Sequence, residues 1–204
     1  MLCLTLATRN AHKTREFAEI LGPEFFVGDL SSIPDFPMVQ EIGRTFEENA
    51  CLKAHAASER VTGLVVADDS GLEVDALEGR PGIYSARFAG EDATDRDNVA
   101  KLLSELAVIG CANEARRARF RCAVALARDG EILSRFEGAA EGVIDTAPRG
   151  RTGFGYDPVF VPDGFSETFA QLGSAIKNRR SHRAAAIAQL RHYLLERDVN
   201  LRQP

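Results

Sequence analysis

The run Val65-Val66-Ala67-Asp68-Asp69-Ser70-Gly71-Leu72-Glu73-Val74-Asp75-Ala76-Leu77 constrains this chain more than any other stretch. Up to Asp68 it is apolar and partly β-branched, the pattern of a buried strand. Two adjacent carboxylates, a hydroxyl and a glycine follow. A sheet interior does not accept ionised carboxylates without compensation, because desolvating each one is expensive. Asp68 and Asp69 are therefore expected at the end of the strand, facing a cleft, a metal or cationic partners. Open α/β sheets place ligands at such strand ends. The competing reading of Asp68-Asp69-Ser70-Gly71 is a plain turn, since Asp, Ser and Gly all favour turns.

The chain around that stretch reads as alternating strands and helices. Leu2 to Ala7 predicts a first strand. Thr8-Arg9-Asn10-Ala11-His12-Lys13 leads into a helix whose Phe17, Ile20 and Leu21 share a face and which stops at Gly22-Pro23. A strand–loop–helix join of this kind aims helix amides at whatever the loop holds and suits phosphate, although no Walker A pattern is present. A plain strand–helix connection is the alternative. A short strand is expected at Phe25–Val27 within an otherwise irregular stretch from Glu24 to Phe36.

Thr45 and Glu48 predict a capping box opening a helix to about Arg60. Asn49 and Lys53 stand four apart on one face of it. The pair could point an amide and an ammonium into a phosphate site, although position alone favours a solvated face. A helix is expected over Asp95–Leu106, and nothing in the sequence assigns it a function. Ala118 to Ala127 reads as a strand, and Asp129-Gly130 as a two-residue hairpin turn into a partner running from Glu131.

Gly153-Phe154-Gly155-Tyr156-Asp157-Pro158 combines glycines with two aromatics, so backbone can approach a ligand and a ring can stack on a planar one. Val159–Val161 reads as a short strand and Thr168–Leu172 as a helical piece. Lys177-Asn178-Arg179-Arg180-Ser181-His182-Arg183 is a basic cluster, with Ser181 as a candidate cap for a last helix that packs Ile187, Leu190 and Leu194 inward. Cations at a helix start oppose its dipole, so either solvent screens them or an anion sits there.

Composition narrows the classes. The chain has 204 residues, 45% hydrophobic and 27% charged, which fits one domain or one domain with two lobes. A formal net charge of −5 argues against a protein that coats nucleic acid through a basic surface. It leaves room for a basic pocket that binds a small anion. Cys3, Cys51, Cys111 and Cys122 show no metal-ligand spacing and read as reduced thiols in or near the core, as in a cytoplasmic protein. No leader and no membrane-spanning run is evident, so neither a membrane nor a nucleic acid is an expected partner.

Taken together, carboxylates, lysines at 13, 53 and 177, and an aromatic glycine loop suggest a metal-bound nucleotide. Mg²⁺ is held by few carboxylates plus phosphate oxygens and waters. At this point the sequence resembles the Ham1/inosine triphosphate pyrophosphatase family. The likeness is carried by six blocks in order: Thr8 to Lys13, Thr45 to Ala54, Ala67 to Leu72, Pro81 to Phe88, Gly153 to Pro158, and Lys177 with Ser181-His182-Arg183.

The resemblance implies an α/β fold: an elongated, long mixed β-sheet flanked by helices, two lobes with a central substrate cleft, in a single domain over residues 1–204. It implies Mg²⁺-dependent hydrolysis of ITP, dITP and XTP to monophosphate and pyrophosphate by a homodimer. Carried over residue by residue, Asp69 is the base that activates water and neighbours the metal, with Glu41 and Asp68 as further metal ligands. Thr8, Asn10, Lys13 and Lys53 fall on triphosphate-binding positions, and Arg9, Ala11, His12 and Ser70 on substrate-binding positions, with Arg9 pointing either to solvent or to phosphate. Phe154, Gly155, Tyr156 and Asp157 fall on the base and sugar pocket, and Lys177, His182 and Arg183 on the purine edge. Arg9 stands where the family usually has glycine, and Gln40 where many relatives have a second acid. A nucleotide-binding protein without useful catalysis, or a pyrophosphatase for another modified nucleotide, are the alternatives.

Overall fold

The computed structural model describes residues 1–33, 35–37, 39–110 and 115–201, the side chains of 198–201 excepted. Cys111 lies outside the described residues. Six strands, β1 (Leu2–Leu6), β2 (Phe25–Asp29), β3 (Leu64–Val74), β4 (Arg117–Arg128), β5 (Glu131–Ile144) and β6 (Phe160–Pro162), form a sheet in the order β2-β1-β3-β4-β5-β6. The sheet is mixed. β1 lies parallel to both β2 and β3, with Leu2 opposite Phe25 and Leu4 opposite Leu64, whereas β6 runs antiparallel to β5.

Parallel neighbours need crossovers, and two helices provide them here. α1 (Ala11–Leu21) starts at Asn10, whose side chain accepts from the amides of His12 and Lys13, and ends at Gly22 with φ +88°. α2 (Phe46–Ser58) starts at Thr45, whose hydroxyl accepts from the Glu48 amide at 3.1 Å. The expected reciprocal box does not close, because the Glu48 carboxylate accepts from the Arg44 amide instead. β4 turns into β5 through Asp129 and Gly130, both at positive φ as a two-residue hairpin of this hand requires.

The chain divides into two compact units. The first comprises Met1–Asp69, Cys122–Gly138 and Arg183–Pro204, and the second Ser70–Arg121 and Ala139–His182. In the first unit, Leu4, Leu6, Leu64 and Val66 of the sheet pack with Phe17 and Leu21 of α1 and with Ile187, Leu190 and Leu194 of α6 (His182–Leu201). Val65 points the other way, into a group with Ala57 of α2, Leu30 and Phe36. β3 is thus covered on both faces here, which explains its nearly continuous apolar run. In the second unit, Leu72, Val74, Phe120 and Phe160 pack with Leu102 and Leu106 of α3 (Asp95–Val108) and with Phe169 of α4 (Phe169–Leu172). α5 (Ser174–Arg180) precedes Ser181, which is extended at φ −77° and ψ 159° between α5 and α6.

Two expectations are corrected. β3 does not stop before Asp68: it is a strand of 11 residues that runs through both aspartates and Gly71, so Asp68-Asp69-Ser70-Gly71 is no turn. The compensation that makes this possible is described below. The three cysteines among the described residues are free, as expected, but of these only Cys122 is buried, its thiol pushed up to about 12 by that burial and by Asp68. Cys51 is half-buried and Cys3 is exposed.

Candidate active site

Consecutive strand residues point to opposite faces. Asp68 therefore shares its face with Leu64 and Val66, and Asp69 shares its face with Val65. The two carboxylates meet different helices and acquire different chemistry.

On the face of α1 and α6, Lys13 Nζ donates to Asp68 Oδ1 at 3.0 Å, and Arg183 Nη2 donates to Asp68 Oδ2 at 3.1 Å. Arg183 Nη1 also donates to Glu16, one turn along α1 from Lys13. The Asp68 side chain is 2% exposed, as is that of Arg183. Burial opposes the charge on Asp68, yet Lys13, Arg183 and Lys53 outweigh it and hold the carboxyl well below the usual carboxylate range. Arg183 is correspondingly held above its ordinary value, the attraction of Asp68 and Glu16 overcoming burial. Asp68 is a permanently charged, enclosed group.

On the face of α2, Asn49 Nδ2 donates to Asp69 Oδ2 at 3.0 Å, and Lys53 Nζ donates to Asp69 Oδ1 at 3.2 Å and to Glu41 Oε1 at 2.7 Å. Asn49 and Lys53 are four residues apart, so one helix face delivers both to the same carboxylate. The solvated-face reading of this pair is overturned: Asn49 is fully buried and the Lys53 side chain is 13% exposed. Asn49 Oδ1 in turn accepts from the Gly43 amide at 2.8 Å, which ties down the segment bearing Glu41. A Cβ at Gly43 would lie 2.6 Å from that oxygen and 2.7 Å from Glu48 Cβ, so only glycine permits the approach.

Asp69 differs electrostatically from Asp68. Burial raises its pKa, Lys53 lowers it and Glu41 raises it again, and the balance is upward. Lys53 is itself raised, because Asp69, Asp68 and Glu41 outweigh its desolvation. A carboxylate whose proton affinity is raised, hydrogen-bonded and still partly open, is suited to accept a proton from water. Glu41 and Asp69, with side chains 31% and 11% exposed, are hard oxygen donors bridged by one lysine. That pair fits Mg²⁺, which takes one or two carboxylates and completes its sphere with phosphate oxygens and water. Among the described residues no group of three or more His, Cys, Asp and Glu could hold a metal ion. Asp68 does not suit the ligand role assigned from the resemblance, being enclosed on the other face between two cations.

Thr8, Arg9, Glu41 and Lys53 line one cavity of about 220 Å³, walled by Leu30, Phe36 and Val39. Arg9 Nη2 donates to the Phe36 carbonyl at 2.9 Å, and Thr8 Oγ1 accepts from the Asn10 amide at 3.1 Å. Asn10 is the helix cap, and Ala11 and His12 are exposed in the first turn of α1. Lys13, expected on phosphate, is engaged with Asp68 while remaining 20% exposed. Arg183, expected at the purine edge, is enclosed with Asp68 and Glu16.

The second unit carries the other expected residues. Ser70 continues β3, half-buried. Lys177 Nζ donates to Asp157 Oδ2 at 2.6 Å and lies 4.2 Å from the centroid of the Phe154 ring. Asp157 Oδ2 also accepts from the Phe154 amide at 2.9 Å, and the Gly155 amide donates to Asp95 Oδ2 at 2.6 Å. Of the two aromatics, Phe154 is half-buried, whereas Tyr156 is a core residue whose hydroxyl donates to the Ser85 carbonyl at 2.9 Å. Burial and Asp95 raise the Tyr156 phenol above its ordinary value. His182 is buried and stacks on Phe120, centroids 4.7 Å apart at 12°. Tyr156 and His182 are thus packed into the unit, and Phe154 is the less buried of the two rings in the loop.

Sequence reasoning raised Asn49 without carrying it into the site and missed Glu16 altogether. Asn49 carried a signal in its four-residue spacing from Lys53. Glu16 carried a weaker one, lying three residues from Lys13 on α1.

Residues 4–193 match the Ham1 family. The chain is 49% identical over 186 residues to the dITP/XTP pyrophosphatase of Bacillus subtilis, covering 91% of this chain and 93% of the relative. It is 51% identical over 188 residues to the dITP/XTP pyrophosphatase of Geobacillus kaustophilus, covering 92% and 91%. The solved structure of the Staphylococcus aureus Ham1 protein superposes with a TM-score of 0.82 at 42% identity, covering 95% of this chain and 98% of that one.

Proposed function

Since the chain belongs to the Ham1 family, we propose that it hydrolyses deaminated and other non-standard purine nucleoside triphosphates, dITP, XTP and ITP, to the monophosphate and pyrophosphate with Mg²⁺. The reading rests above all on Asp69. It is a carboxylate with raised proton affinity, oriented by Asn49 and joined through Lys53 to a second carboxylate, Glu41.

In this reading Asp69 takes a proton from a water molecule as the water oxygen bonds to the α-phosphorus. The bond from that phosphorus to the bridging oxygen breaks, and pyrophosphate leaves. Asn49 keeps one oxygen of Asp69 fixed, so the other orients the water. Lys53 offsets the charge of both carboxylates and holds Glu41 beside Asp69. Bound Mg²⁺, held by Glu41 and Asp69, would offset phosphate charge and acidify a coordinated water. Thr8, Asn10 and Lys13 at the start of α1 face the polyphosphate with helix amides and an ammonium. Asp68 keeps Lys13 and Arg183 in place.

The resemblance assigns the purine to the second unit, where Phe154 offers a face and Lys177 a donor. Hypoxanthine and xanthine carry a 6-oxo group where adenine has an amino group, and donors fixed at that edge favour the oxo bases. We include in the proposal a homodimer working in the cytoplasm. Free thiols at Cys3, Cys51 and Cys122 support a reducing compartment. Among the described residues no helix is long and apolar enough to cross a membrane.

The test is product analysis with ITP and GTP, each with and without Mg²⁺. IMP and pyrophosphate, formed only with Mg²⁺ and much faster than GMP from GTP, is the expected result. IDP and phosphate would refute the reaction class, and no product would favour a binding protein.

A further inference from the structure

We infer that Asp95, the first residue of α3, is a positioning residue for the Phe154 ring and hence for the purine. α3 carried no function in the sequence, and its opening is already capped without Asp95. Thr94 accepts from the Asp97 amide at 3.3 Å, and Asp97 accepts from the Thr94 amide at 2.9 Å. The Asp95 carboxylate is thereby left to another task, and its Oδ2 accepts from the Gly155 amide at 2.6 Å.

That bond completes a set of restraints on one residue. The amide before the Phe154 Cα is held by Asp157, and the amide after it is held by Asp95. The peptide planes on both sides of Phe154 are therefore held by carboxylates, one from within the loop, Asp157, and one from outside it, Asp95. Gly155 stands at φ +59°, where a side chain is strained. The loop consequently has a backbone that no packing of its own residue at 155 can hold, and the Asp95 bond supplies the restraint. Lys177, bound to Asp157, lies over the Phe154 ring, so displacing the ring also displaces the ring–ammonium geometry. Asp95 is exposed, so its removal leaves the core of the unit intact.

The inference deepens the proposed function and rests on Phe154 stacking on the base. Asp95→Ala removes the acceptor. Asp95→Asn keeps an oxygen that can accept the same amide and should rescue it. Each is compared with Phe154→Ala by ITP kinetics and by calorimetric binding of IMP. Asp95→Ala should raise KM for ITP and Kd for IMP about tenfold, the scale of one charge-assisted hydrogen bond, with kcat within about twofold. Asp95→Asn should lie near wild type. A second readout needs no turnover. The chain has no tryptophan, so Phe154→Trp installs a single reporter, whose fluorescence anisotropy should fall when Asp95→Ala is added. Wild-type KM and Kd in Asp95→Ala, or equal impairment in Asp95→Ala and Asp95→Asn, would overturn the positioning role while leaving the enzyme reading intact. Wild-type KM and Kd in Phe154→Ala would overturn the base-stacking premise and the inference with it.

Discussion

Asp68 and Asp69 are neighbours in β3 and answer to different helices. Lys13 of α1 and Arg183 of α6 hold the first, and Asn49 and Lys53 of α2 hold the second. The alternation of a strand separates two identical side chains into an enclosed anion between two cations and a carboxylate of raised proton affinity.

Asp68→Asn should cost stability, because Lys13 and Arg183 would keep their charges beside a neutral amide. Breaking a buried pair from one side costs about 3–5 kcal/mol, readable as a shifted urea midpoint at pH 7. The folded-state pKa is depressed. Its contribution is therefore complete above the unfolded value of about 3.9 and is lost as pH falls through the folded value. The gap between wild type and variant should narrow steadily below that point. Equal midpoints at pH 7 would show that the pair contributes nothing.

Asp69→Asn should behave in the opposite way. Its folded-state pKa is raised, so the native state loses stability as pH rises through that value, and the variant at pH 7 should melt no lower than wild type. Turnover of ITP should fall about 10²–10⁴-fold if Asp69 is the general base. Near-normal turnover would remove it from that role.

Lys53→Met removes the cation between Asp69 and Glu41. The two carboxylates then repel without relief, so the Asp69 proton affinity rises further. The acid limb of the kcat/KM profile should move to higher pH than in wild type. A limb that stays in place would mean that another group sets it.

Glu41→Gln leaves Lys53 one charged partner and removes a hard oxygen donor from the proposed Mg²⁺ pair. The Mg²⁺ concentration for half-maximal activity should rise on the order of tenfold or more, with little change in melting temperature because Glu41 is the more exposed member. Asp68→Asn, compared on its folded fraction, should leave the Mg²⁺ requirement unaltered. An equal rise in both variants would restore Asp68 as a ligand.

Much of the fold was legible in particular residues. Phe17 and Leu21 with Gly22 marked α1, Thr45 marked the start of α2, and Asp129-Gly130 marked the β4–β5 turn. Local physics settles each of these: apolar spacing, a hydroxyl at a helix start, and two residues that accept positive φ. β3 was misjudged at its most informative point. Two aspartates in a strand look unaffordable until the cations that compensate them are placed, and those cations come from residues 13, 53 and 183.

The sequence by itself determined that this chain alternates strands and helices, and it singled out Asp68-Asp69, the lysines and the aromatic glycine loop as candidates for chemistry. Only the tertiary structure decided how the two aspartates differ. A carboxylate's charge state depends on burial and on ions within a few ångströms, and those neighbours are brought from across the chain by packing. Asp68 is held charged and Asp69 raised in proton affinity because α1 and α6 cover one face of β3 and α2 covers the other.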